Sequence, residues 1–261
     1  MSSITDIQQL PYHLELLKNL VVRDVKVKYQ RSALGFLWTL LNPLFVATIY
    51  VFVFSNIMRF GVSGYWAFLL SGFFAWNFFS MTITSGSDVI FANRSIITRV
   101  AFPHEILVIS ITLAKLIEFV CELFIVIFLV GGFYLHRLPG SLLALPLVIT
   151  IQFLMTLGLV FPLACLRVFY KDVEQVLPIA MTGWFFLTPV VYMPEMMPKQ
   201  YSFILALNPM TGIITAYHDI FYHARFPDPQ ALLRTGLIAL AVFLAGYWIF
   251  TRVKKVFAEV V

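Results

Sequence analysis

Lys115, Glu118 and Glu122 stand at i, i+3 and i+7 inside an apolar run from Ile106 to Tyr134. Ionisable groups at membrane depth are costly and usually face a bundle interior or a watery cavity. Lys115 can pair with Glu118 or extend towards the interface, whereas Glu122 has no obvious partner on its own helix. Two chemistries fit, a proton relay or polar packing between helices. Aromatic residues form a second pattern. Trp38, Phe45 and Phe52 repeat every seven residues and so share one helical face, as do Phe185 and Tyr192. Such rings can line a passage for sugars by stacking on their apolar faces, or can serve helix packing and lipid contact.

A third candidate lies between Gly86 and Pro103. Asp88 can cap a helix over about 88–103, Arg94 and Arg99 are cations beside it, and Ile90, Ile96, Ile97, Val100 and Phe102 give it an apolar face. A short helix of that kind suits docking into a groove of another protein, or simple packing on the bilayer surface. Covalent chemistry finds no footing. The chain has no Gly-Lys dipeptide, hence no Walker A phosphate loop, and no HExxH, GxSxG or GxGxxG. His13, His104, His136, His218 and His223 make no catalytic or metal set, and Cys121 and Cys165 read as small core residues. No catalytic residue, metal or bound cofactor is expected, and any ATP-driven work must come from a separate chain carrying ATP and Mg.

These residues need elements to hold them, and composition names the medium. Hydrophobic residues make up 61% of 261 and charged residues 12%, with mean hydropathy +0.90. So few charged groups cannot cover the surface of a soluble domain of this size, so the chain belongs in a bilayer. A helix needs about 20 apolar residues to cross the hydrocarbon. Runs of that kind are Leu37–Met58, Trp66–Thr84, Ile106–Tyr134, Leu142–Leu166, Val176–Met193 and Leu232–Phe250, which predicts six spans. Long continuous runs exclude a β-barrel. The first run begins too late, after too polar a leader, for a cleavable signal peptide.

With six spans both termini share one side. That side carries Lys18, Arg23, Lys26, Lys28, Arg31, Arg94, Arg99, Arg167, Lys171 and the tail cations Arg252, Lys254 and Lys255. The other side has only Arg59, Arg137, Lys199, Arg225 and Arg234, so both termini are expected in the cytoplasm. The net charge of +5 then reflects topology rather than binding of nucleic acid.

The expected architecture is all-α and integral to the membrane. A cytoplasmic segment, 1–34, holds an amphipathic interface helix on which Leu10, Leu14, Leu17, Val21 and Val25 form the apolar stripe. That helix could be a topology anchor or a lever driven by a partner. The six-span domain, 35–261, includes a broken stretch at about 194–230. There Pro194, Pro198, Pro209, Pro227 and Pro229 interrupt an apolar sequence, and short helices re-entering the outer leaflet fit best, as a gate or as a surface cap.

The stretch from Arg23 through Trp38 to Asn42-Pro43-Leu44 resembles the entry to the first span in type 2 ABC exporter permeases for polysaccharides. Phe102-Pro103, Tyr170-Lys171-Asp172 through Pro178, Leu187-Thr188-Pro189 through Tyr192, and Leu207-Asn208-Pro209 through Gly212 match that family in order. It departs at Ala216–Asp219, where many relatives carry an arginine, and at Lys254-Lys255, where many carry a glutamate. The resemblance implies a homodimer joined to two copies of an ABC ATP-binding subunit. It implies ATPase coupling through Arg94, Ser95, Ile97, Arg99 and Phe102, and a channel along spans one and five lined by Trp38, Phe45, Phe52, Phe185 and Tyr192. The function implied is export of a lipid-linked polysaccharide across a bacterial inner membrane, O-antigen before teichoic acid, capsular polysaccharide, a drug or a small lipid. A membrane enzyme would need a clustered nucleophile that is not seen, and a scaffold would not need the broken segment.

Overall fold

The computed structural model describes residues 10–27, 34–35, 37–97, 102–134, 140–254 and 257, and every regular element among them is helical. In order these are α1 (Leu10–Val27), α2 (Leu37–Val51), α3 (Tyr65–Ala92), α4 (Arg94–Ile97), α5 (Glu105–Tyr134), α6 (Leu145–Phe169), α7 (Val173–Leu187), α8 (Ser202–Leu207), α9 (Pro209–Phe221) and α10 (Pro229–Val253). A π-helical turn, Phe52–Ile57, extends α2, and a 3₁₀ turn, Ser141–Ala144, leads into α6.

Among the described residues, four helices are long and apolar enough to cross a bilayer: α2 with its π turn, α3, α6 with its 3₁₀ turn, and α10. The sequence predicts six, and the other two differ for separate reasons. The 30 residues of α5 rise about 45 Å at 1.5 Å each, but they include Lys115, Glu118 and Glu122. The 15 residues of α7 rise only about 22 Å, short of the hydrocarbon thickness. The fifth run was expected to continue to Met193, but the helix stops at Leu187. Thr188 precedes Pro189, whose ring disfavours α geometry in the residue before it, and Thr188 takes φ −107°, ψ 138°.

α3 is the central element, buried along most of its length, and α2, α5, α6, α7 and α9 all pack on it. Its buried hydroxyls bond back to its own turns: Ser71 to the Phe68 carbonyl, Thr82 to Phe78 and Ser87 to Thr84. This satisfies them without water. α1 docks on α5 through a face that includes His13 and Leu20, with Leu16 and Leu17 beside it. The expected stripe is therefore rotated by about one residue, and Leu14 is left 57% exposed.

α6 and α10 touch backbone to backbone. A Cβ on Gly246 would collide with the Gly158 carbonyl oxygen, and one on Gly158 would lie 2.6 Å from the Phe243 Cα. Small residues at such crossings let helices gain close van der Waals contact where lipid supplies no hydrophobic drive.

After α7 the chain leaves regular helix until α8, and Asn208 closes the gap. Its side-chain oxygen accepts from Trp184 Nε1 at 2.9 Å and from the Met210 amide at 3.0 Å. Its side-chain nitrogen donates to the Leu187 carbonyl at 3.1 Å and to Thr188 Oγ1 at 2.8 Å. The amide thus joins the end of α7 to the start of α9. Tyr65 adds a tie by donating to the Val191 carbonyl at 2.7 Å. α9 is held deeper by Gln152, whose amide donates to the Ala75 carbonyl at 2.7 Å while its oxygen accepts from Tyr217 Oη at 2.7 Å.

Two substitutions test these contacts. Gly158→Ala should lower the thermal unfolding midpoint in detergent, at a cost of about 1–3 kcal/mol for the forced separation. Gly132→Ala, where an added Cβ meets nothing within 4 Å, should not lower it, and equal midpoints would contradict the crossing. Asn208→Ala should open the 188–208 stretch to limited proteolysis at least tenfold faster, as expected when buried partners worth about 1–3 kcal/mol are stranded. Unchanged cleavage would show that the amide does not hold the join.

Candidate functional site

Two clefts meet along α3. The first, about 470 Å³, lies between α2, α3 and α5, with Trp38, Thr39, Asn42, Asn77, Glu118 and Glu122 on its walls. The second, about 360 Å³, lies between α2, α3 and α7, with Tyr50, Trp76, Ser80, Thr182, Phe185 and Phe186. Phe73, Asn77 and Met81 belong to both, so the polar first cleft runs into the aromatic second one.

α5 turns its charged residues inward. Lys115, Glu118 and Glu122 are all buried. Lys115 Nζ donates to Glu118 at 2.9 Å, and Asn77 Nδ2 donates to Glu122 Oε1 at 3.1 Å. Burying such groups is tolerable only with hydrogen-bonded partners, which α3 supplies through Asn77. Asn77 has a signal in the sequence, a lone amide in an apolar run. Its pairing across 45 residues has none.

The expected aromatic lining divides. Trp38 lines the first cleft, and Phe185 edges the second. Phe185 is only 5% exposed, packed with Tyr50 at 5.7 Å between ring centroids, Trp76 at 5.8 Å and Phe186 at 5.1 Å. Phe45 and Phe52 share a face as their spacing requires, but that face of α2 is open, away from both clefts, and they are 59% and 57% exposed. Tyr192 is half-buried beyond the end of α7, with its hydroxyl buried and without a hydrogen-bond partner among the described residues. Phe73 and Trp76 are cleft residues that sequence reasoning missed, because aromatics lie on every side of the run 73–79 and no face stands out.

The segment expected as one helix over 88–103 divides too. Residues 88–92 complete α3, Asn93 ends it by donating its side chain back to the Val89 carbonyl at 2.8 Å, and α4 is a single turn. Asp88 does not cap a helix; it accepts from Arg167 Nε at 3.0 Å. Arg94 and Ser95 are exposed, Ile97 and Phe102 are buried, and Arg99 lies outside the described residues.

Arg167 is the hub at this end. Its side chain is 4% exposed, and Nη2 donates to Glu174 at 2.5 Å. Its guanidinium also lies 4.5 Å from the Phe91 ring centroid, and that of Arg94 lies 5.0 Å from the same ring. One residue therefore ties the ends of α3 and α6 to the start of α7 and, through Phe91, to α4. Nearby, Lys254 pairs with Glu105, and burial is the largest influence lowering the His104 pKa below its usual value, opposed by Glu105 and reinforced by Lys254. At the far end of α9, Asp219 pairs with Arg225 at 2.7 Å.

A family model described as ABC-2 type transporter matches residues 15–222. The O-antigen export system permease protein RfbA of Myxococcus xanthus is 33% identical over 255 residues, 97% of this chain and 98% of the relative. A protein of the same name from Klebsiella pneumoniae is 31% identical over 257 residues, 96% of each chain. The polysialic acid transport protein KpsM of Escherichia coli is 24% identical over 231 residues, 87% of this chain and 89% of the relative. A family match across most of the length, on a helical body with four helices among the described residues long and apolar enough to cross a membrane, establishes that the chain belongs to the ABC-2 type transporter family.

Proposed function

We propose that this chain is the membrane-spanning subunit of an ATP-driven exporter that moves a lipid-linked polysaccharide, O-antigen in the first instance, across the bacterial inner membrane. Two copies of the chain assemble with two copies of an ABC ATP-binding subunit, which holds ATP and Mg. The chain itself performs no covalent step. It crosses the membrane six times, α5 and α7 completing the set, with both termini in the cytoplasm, α1 at the cytoplasmic interface, and α8 and α9 re-entering from outside. Membership of the family and the names of its relatives support the cargo class. The observation that carries the reading is the joined pair of clefts, carboxylates and amides at one end and aromatic faces at the other.

That combination suits sugars. Carboxylate and amide oxygens accept from hydroxyl groups, and aromatic faces stack on the apolar faces of sugar rings while allowing them to slide. Trp38 and Phe185 are the lining residues of this conduit. Phe45 and Phe52, on the open face of α2, meet the second protomer and line the passage from there, and Tyr192 stands at the exit. The partner ATPase docks on α4 and the segment to Phe102, with Arg94, Ser95, Ile97, Arg99 and Phe102 as the coupling set. A push on α4 reaches Phe91 and Arg167, and Arg167 passes it through Glu174 to α7, whose far half bears Phe185.

Phe185→Ala should slow appearance of polymer outside the membrane several-fold while leaving assembly with the ATPase intact. Export at the parental rate would return the ring to a packing role. For coupling, Arg94→Glu should weaken co-purification of the ATPase or separate its turnover from export. Arg167→Lys, which keeps the charge but loses the two-sided fork, should assemble normally and export poorly. Full export by both variants would overturn the coupling path.

A further inference from the structure

A third cavity, about 470 Å³, lies away from the conduit, where α8, α9 and the turn at Pro194–Met196 meet the first turns of α10. Its polar lining includes Glu195, Asn208, Thr211 and Arg234, and Leu205, Leu207 and Ile238 give it apolar walls. Arg234 and Glu195 are both exposed, and neither makes an ion pair among the described residues, with each other or with anything else. Among the described residues Arg234 makes one hydrogen bond, a long one, 3.5 Å to the Ala206 carbonyl. Thr211 Oγ1 is buried and has no hydrogen-bond partner among the described residues.

The depth of this cavity is fixed by α10. Arg234 stands five residues after Pro229, about 7.5 Å along the helix axis, close enough to the end of the span for its guanidinium to extend into the headgroup band. Leu207 and Ile238, on the cavity's own wall, are 78% and 38% exposed and offer an apolar surface for acyl chains. A separated cation and anion facing one cavity, with an unused hydroxyl and an apolar exit, match a zwitterionic amphiphile.

We propose that this cavity binds the phosphoethanolamine headgroup of a bilayer phospholipid, with Arg234 on the phosphate, Glu195 on the ammonium, and Thr211 donating its hydroxyl proton to a phosphate or ester oxygen. The acidic residue decides the class. An anionic headgroup without an amine would leave Glu195 facing like charge, and a choline headgroup has no N–H to donate to it. The site requires only that α10 crosses the bilayer, so it stands apart from the identity of the cargo. Asn208 both lines the cavity and holds the α7–α9 join, which places a bound lipid against the segment proposed to re-enter the membrane.

The test is native mass spectrometry of the full-length chain in mild detergent, with dioleoyl phosphatidylethanolamine, phosphatidylglycerol and phosphatidylcholine competing as probes. The parent chain should retain phosphatidylethanolamine in preference to the other two. Arg234→Gln should reduce that retention about tenfold, the scale of one charge-assisted hydrogen bond. Glu195→Gln should still bind lipid but lose the preference over phosphatidylglycerol. Both positions are exposed, so neither change disturbs the core, and circular dichroism should show unchanged helix content. Equal retention of all three lipids by the parent, or unchanged retention in Arg234→Gln, would overturn the proposal. So would loss of dimer rather than of lipid in Arg234→Gln, which would give the cavity to a protein partner.

Discussion

In hydrocarbon an unsatisfied backbone amide or carbonyl costs several kcal/mol, and this constraint shapes the molecule from α2 to α10. Where the chain is helical the groups pair internally, and buried hydroxyls on α3 pair with carbonyls one turn back. The difficult place is the exit from α7, where Pro189 forces the helix to end among apolar neighbours. Asn208 meets the constraint with a side chain that imitates a peptide group, two bonds accepted and two donated. The irregular stretch between α7 and α9 exists because this amide and the Tyr65 hydroxyl cover what the missing helix would have covered.

The opposite end of α7 is governed by a charge instead. A buried guanidinium demands partners, and Arg167 finds carboxylates on α3 and α7 and an aromatic face between them. Removing any one partner would leave the others poorly compensated, so the ends of α3, α6 and α7 are coupled by the cost of separating them. α7 is thus fastened at both ends, by an amide network and an ion cluster, while its middle contributes Met181 and Thr182, and its last turn Phe185, to the aromatic cleft. A short helix fixed at its ends and lining a cleft with its middle is suited to tilt as one piece.

The burial of the charged residues was legible one by one. That Lys115, Glu118 and Glu122 turn towards the bundle follows from the cost of placing charge in lipid, and the structure has them buried. The lateral assignments were less legible. Seven-residue spacing puts Trp38, Phe45 and Phe52 on one face, but spacing has no information on which neighbour that face meets, and the clefts took only Trp38. The segment 88–103 is not a single helix because α3 runs on through Asp88 to Asn93, and Asp88 pairs instead with Arg167, 79 residues away in sequence and 3.0 Å away in space.

The sequence by itself determined the medium, the helical class and the positions of the long apolar elements, because composition and run length act locally; it placed the end of the fifth run six residues too late. Only the tertiary structure decided which faces meet. It set the rotation of α1 on α5, the approach of Gly158 to Gly246, the gathering of Phe73, Asn77 and Trp76 at the clefts, and the convergence of Asp88, Phe91 and Glu174 on Arg167. Those outcomes depend on choosing partners tens of residues apart. In a chain where nearly every face is apolar, hydrophobic periodicity cannot rank the partners, and close packing and the pairing of a few buried polar groups make the choice.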